Sequence, residues 1–168
     1  FHLGLTDLRR HPASAAETPA KFSFGLMSCN QPFNRRGEVN PGAGQMLQAA
    51  RRCLREHQAK FALLCGDQMY SDFPEPLSLF RPEYFATVAP PGRESIHQCT
   101  PQEVRRIYHR RYRHFWNQAS WMGMQAELPC YPILDDHDVV DNWGALEEHQ
   151  EERWQGVGLG ARLAYFDY

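Results

Sequence analysis

The sequence predicts an α/β fold built on a mostly parallel sheet. Two observations predict it. Short apolar or alternating runs at 22–26, 61–65 and 131–134 are separated by stretches whose apolar residues recur every three to four positions, which is the order of strands alternating with helices. Each of the three runs also stops abruptly in polar residues able to do chemistry. The 168 residues, 42% hydrophobic and 23% charged, suffice for one globular domain with a full core.

Residues 1–20 carry two prolines and four alanines without a sustained period and read as a linker or upstream connection, leaving 21–168 as the domain. Lys21 to Ser28 places Phe22, Phe24 and Leu26 on one face of a strand. Ser28-Cys29-Asn30-Gln31 follows, then a loop from Phe33 to Gly44. Gln45 to Gln58 is helical, with Met46, Leu47, Ala50, Cys53, Leu54 and His57 on its apolar stripe. Phe61 to Cys65 is a continuous apolar run, suited to a central parallel strand covered on both faces. It ends in Gly66-Asp67-Gln68-Met69-Tyr70-Ser71-Asp72.

Five prolines between 73 and 99 exclude a long regular element there, so this stretch is an excursion at one end of the sheet. Thr100-Pro101-Gln102-Glu103 is a capping box with Pro at the first helical position, and its helix runs to about Trp116. Ser120 caps a second short helix through Glu127, and Pro129 stops it. A strand from Tyr131 runs into Asp135-Asp136-His137-Asp138 and Asp141-Asn142-Trp143-Gly144. Ala145 to Arg153 reads as a polar helix, Gly156, Gly158 and Gly160 as a loop, and Ala161 to Tyr168 as the start of another helix. With no strand before the glycines and no Lys after them, a phosphate-loop reading has little weight.

No stretch approaches the roughly 20 apolar residues of a membrane span. The net charge of −2 says little about partners, but its distribution is uneven. Arg105, Arg106, Arg110, Arg111 and Arg113 stand in a stretch, 104–126, without an acid. The plain reading is a solvated helix face, with a substrate or nucleic-acid role as the lesser one. The chain opens on Phe1, so no secretory leader can be read. Five cysteines without paired spacing fit a reducing compartment or a metal-ligating thiol, which favours a cytoplasmic over an exported protein.

The three strand ends carry the functional argument. Four carboxylates and an imidazole between Asp135 and Asn142 repel one another and lose hydration if the loop packs, and a cation is the simplest compensation; a solvated acidic turn is the plainer alternative. In parallel sheets, sites form at the carboxyl ends of strands. That edge would gather Cys29 and Asn30, Asp67 and Tyr70, and Asp136 and His137. A thiolate and a phenolate suit a trivalent iron better than magnesium or calcium, and a carboxylate such as Asp67 can bridge two cations. His137 beside a ligand could contact a phosphoryl oxygen or protonate a leaving group. Against this stand a structural Cys29 and an ordinary packed Tyr70.

Ser28-Cys29, Gly66-Asp67-Gln68-Met69-Tyr70 and Asp135-Asp136-His137-Asp138 with Asp141-Asn142-Trp143-Gly144 resemble the PhoD-like (alkaline phosphatase D) branch of the calcineurin-like metallophosphoesterases, over about 22–168. The resemblance implies the amino-terminal part of a four-layer α/β/β/α sandwich and metal-dependent hydrolysis of phosphate mono- or diesters. It implies an iron centre with calcium or another divalent ion. Cys29 and Tyr70 would bind the iron, Asp67 would bridge, Asp136 would bind the second metal and His137 would be the phosphate-contacting acid, with Asn30 and Asp138 in support.

The family's later motifs, an isolated His and an Asp/Gly-x-His pair, have no counterpart before Tyr168. The expectation is therefore a first half of the catalytic domain, weak in metal binding and turnover by itself. The rival reading is a non-catalytic binding or regulatory module on the same fold.

Overall fold

The computed structural model describes residues 22–168, and the expected linker at 1–20 lies outside the described residues. Its sheet has three strands, β1 (Gly25–Met27), β2 (Ala62–Cys65) and β3 (Cys130–Ile133), in the order β1-β2-β3. Both pairings are parallel, as the alternation with helices requires. The register aligns Leu26 with Leu63 and Leu63 with Tyr131, so all three strands deliver their carboxyl ends to one edge.

The helices are α1 (Pro41–Glu56), α2 (Pro82–Val88), α3 (Pro101–Trp116), α4 (Ala119–Glu127) and α5 (Glu152–Tyr165). Helix α1 starts four residues before the expected Gln45, because Asn40 caps it by accepting from the Gly42 amide and Pro41 occupies its first turn. The capping box of α3 forms as expected, Thr100 accepting from the Glu103 amide and Glu103 accepting from that of Thr100. Helix α4 begins at Ala119 without a side-chain cap, so Ser120 does not have the expected capping role.

Two apolar clusters result. Leu47 of α1 and Trp121 and Met124 of α4 cover Ala62 and Leu64 on one face of the sheet. Val104, Ile107, Tyr108, Tyr112 and Phe115 of α3 pack with Val157, Ala161 and Ala164 of α5, with Phe85 of α2, and with Met69 and Val139 from the loops after β2 and β3. The second cluster therefore supports the loops that leave the sheet edge.

Three further expectations are corrected. The polar helix expected at 145–153 is only a short 3-10 turn, Glu147–Gln150. The glycines expected as a loop lie inside α5. A Cβ at Gly158 would meet Trp143 at 2.4 Å, and one at Gly160 would meet the Cβ of Val104 at 2.5 Å; the missing side chains let α5 lie directly on α3 and on the loop after β3. Strand β2 is central but covered on one face only among the described residues. On the other face Phe24, Leu26, Tyr131 and Ile133 are exposed, Leu26 by 66%, with Phe61 and Leu63 half-buried between them. Phe24 stacks on Phe61 at 5.4 Å, and Phe61 meets Tyr131 edge-on at 5.8 Å. A contiguous apolar face of this kind marks an interaction surface.

Candidate metal centre

The loops that leave β1 and β2 are held in register beyond the strands. The Cys29 amide donates to the Gly66 carbonyl at 3.2 Å and that of Asn30 to the Asp67 carbonyl at 2.8 Å. Cys29 and Asp67 both adopt left-handed backbone conformations, φ 61° and 52°, which non-glycine residues rarely occupy. Gly66 turns at φ 88°, and a Cβ there would lie 2.3 Å from the Cβ of Asp135. Glycine is thus what allows the loops after β2 and β3 to touch.

These turns bring the side chains together. The Cys29 thiol donates to Oδ2 of Asp67 at 3.4 Å, and the Tyr70 hydroxyl donates to the same oxygen at 3.0 Å. Asp67, Asp136 and His137 offer ligand atoms that all lie within 4.8 Å of one another. Asp67 is buried, and its Oδ1 has no hydrogen-bond partner. A buried carboxylate oxygen without a donor is costly, and a cation satisfies it. All five residues expected at the centre therefore converge. Asn30 supports them by donating through Nδ2 to the Gln68 carbonyl at 3.1 Å.

Asp138 is fully buried and binds the loops together. Its Oδ1 accepts from the amides of Gln68 and Met69 at 3.0 and 3.1 Å and from the Tyr112 hydroxyl at 3.3 Å. Its Oδ2 accepts from the Asp135 amide at 3.1 Å. Burial raises its pKa to about 7, although the backbone donors from Asp135 and Met69 pull the other way. Asp136 in turn accepts from the Asn142 amide at 2.6 Å, which makes Asn142 a residue of loop structure.

His137 packs on the Tyr70 ring, 4.3 Å between centroids. Its Nδ1 lies 2.8 and 3.0 Å from the two carboxylate oxygens of Asp72, and its Nε2 lies 3.5 Å from Asp141. Burial opposes its charge, but the Asp72 hydrogen bond and the charges of Asp72, Asp67 and Asp136 outweigh it and raise its pKa to about 9. The Tyr70 phenol is shifted strongly upward, chiefly by burial and then by its contacts with Cys29 and Asp67, so it keeps its proton unless a cation displaces it.

Two further residues shape the centre without a sequence signal of that role. Asp72 closes the Gly66–Asp72 run, and only the fold shows that it faces His137. Arg111 was expected on a solvated face but is 2% exposed. Its Nε donates to the Tyr70 carbonyl at 2.7 Å and its Nη2 to that of Phe73 at 3.2 Å, so it holds the segment that presents both Tyr70 and Asp72.

A family model described as PhoD-like phosphatase matches residues 24–168. No curated protein and no solved structure matches. With the match spanning most of the sequence and all three strand ends, the chain belongs to the PhoD-like phosphatase family.

Proposed function

We propose that this chain contributes the metal-holding edge of a hydrolase that cleaves phosphate mono- or diesters. The observation that carries the reading is the meeting of Asp67, Asp136 and His137 within 4.8 Å, with Cys29 and Tyr70 both on Asp67. The donor set fits: Cys29, Tyr70 and Asp67 would hold a trivalent iron, and Asp67 and Asp136 a divalent ion such as calcium beside it. When bound, such ions supply Lewis acidity toward phosphoryl oxygens and make water a competent nucleophile near neutral pH.

The chain's own residues supply orientation and a proton. Asp138 and Gly66 hold the loops after β2 and β3 at the separation that Asp67 and Asp136 need. The Asp72 hydrogen bond favours the protonated imidazole of His137, which would donate to the leaving oxygen. Asp72 holds the imidazole by Nδ1, which fixes the ring. The exposed face of Phe24, Leu26, Tyr131 and Ile133 is where the carboxyl-terminal part of the domain, implied by the resemblance, would pack.

The test is metal analysis of the purified chain, with hydrolysis of an aryl phosphodiester. The chain by itself is expected to bind metal weakly and turn over slowly, and Asp67→Asn is expected to lower both by a further 10–100-fold, roughly what losing a ligand's supporting partner costs. Unchanged metal content and activity in Asp67→Asn would sink the proposal.

A further inference from the structure

Helices α2 and α3 line a half-open cavity of about 180 Å³, bounded by Leu79, Tyr84, Val88, Ile107, Arg110, Arg111 and His114. It is chemically one-sided. Two arginines, a histidine and a tyrosine line it, and no acidic residue does. Among the described residues none of Arg110, Arg111 and His114 forms an ion pair with an acid.

Arg111 makes the imbalance acute. Its partners are the carbonyls of Tyr70 and Phe73 and, at 3.4 Å, the hydroxyl of Tyr84; its guanidinium carbon also lies 4.8 Å from the Phe115 ring centre. These bonds use only part of the five N–H donors that an arginine carries. A buried charge with no ion-paired acid is costly even with the longer-range attraction of Asp72, and an anion that shares the cavity relieves the cost. Burial lowers the pKa of Arg111. Burial and the Arg111 charge both lower that of His114, so each group gains from a negative neighbour. Leu79, Val88 and Ile107 supply an apolar wall, against which such an attraction is stronger than in water.

We propose that this cavity is an anion site for a small tetrahedral oxyanion of the phosphate class, separate from the candidate metal centre. The exposed Arg110 opens the cavity to solvent, and its planar guanidinium can grip such an anion by paired N–H bonds, with the remaining N–H groups of Arg111 behind it. At about 180 Å³ the cavity has room for a phosphate ion. Arg111 joins this site to the metal centre, because its other bonds hold the Tyr70–Phe73 segment. Occupancy would therefore stiffen that segment, and free phosphate would act on the centre from a distance.

The experiment uses the whole chain in chelator, so that no metal contributes, and titrates it with inorganic phosphate by calorimetry. The expected result is saturable binding with one phosphate per chain, weakened at least tenfold in Arg110→Gln/His114→Ala and unchanged in Asp67→Asn. Amide hydrogen exchange in 70–73 is expected to slow when phosphate is added. The proposal is overturned by absence of saturable binding, by equal binding of acetate, by wild-type affinity in the double variant, by loss of binding in Asp67→Asn, or by unaltered exchange in 70–73. Because Asp67→Asn disables the proposed metal centre alone, failure of that reading and failure of this one are seen separately.

Discussion

Nδ1 of His137 lies 2.8 Å from a carboxylate oxygen of Asp72, 65 residues earlier in the chain. The contact joins the loop after β2 to the loop after β3 beside the candidate metal centre. It also sets the protonation state on which the proposed role of His137 depends.

The folded pKa of His137, about 9, stands above its ordinary 6.5. The stabilisation from its partners is therefore complete below about 6.5 and is lost as the pH rises through 9. In metal-free protein, ring-proton NMR is expected to give a His137 midpoint near 9, falling clearly in Asp72→Asn. A wild-type midpoint at 6.5 would contradict the assignment. Asp138 acts in an earlier window: its raised pKa makes stability decline between 3.8 and about 7.

Asp138→Ala removes the acceptor of three backbone amides, those of Gln68, Met69 and Asp135. Each buried donor left unpaired costs about 1–3 kcal/mol, so a loss of about 3 kcal/mol or more is expected in urea denaturation. Asp138→Asn keeps one acceptor oxygen and is expected to lose less.

Gly160→Val places a side chain where even a Cβ would lie 2.6 Å from the Pro101 carbonyl oxygen. Helix α5 must then move off α3, at a cost of about 1–3 kcal/mol in the thermal or urea midpoint. The same substitution at Gly92, where a Cβ meets nothing within 4 Å, has no such clash and serves as the control for packing, although its φ of 77° adds backbone strain.

The apolar sheet face predicts self-association. Sedimentation velocity is expected to show concentration-dependent oligomers of the chain by itself, reduced in Leu26→Lys/Tyr131→Lys. As both positions are exposed, the monomer's stability should shift by less than about 1 kcal/mol. A chain that stays monomeric at high concentration would remove this face as an interaction surface.

Much of the fold was legible because its signals are local. The three runs with their abrupt polar ends, the Thr100–Glu103 box and the Pro129 stop each depend on neighbours a few residues apart. The five candidate site residues were legible for a related reason: parallel strands must send their carboxyl ends to one edge, whatever lies between them in sequence.

Tertiary structure decided the rest, because it depends on which distant groups are superposed. Glycine lowers helix propensity, so Gly156, Gly158 and Gly160 read as a loop until the close approach of α3 and Trp143 made their lack of side chains an advantage. Arg111 shares its sequence signature with its exposed neighbours, and the carbonyls of Tyr70 and Phe73, with Tyr84 and Phe115, draw it inside. Asp72 became the partner of His137 through folding alone. The sequence by itself determined which residues stand at the strand ends; the folded chain decided which of them touch, since contacts across 65 residues leave no periodic trace in the chain.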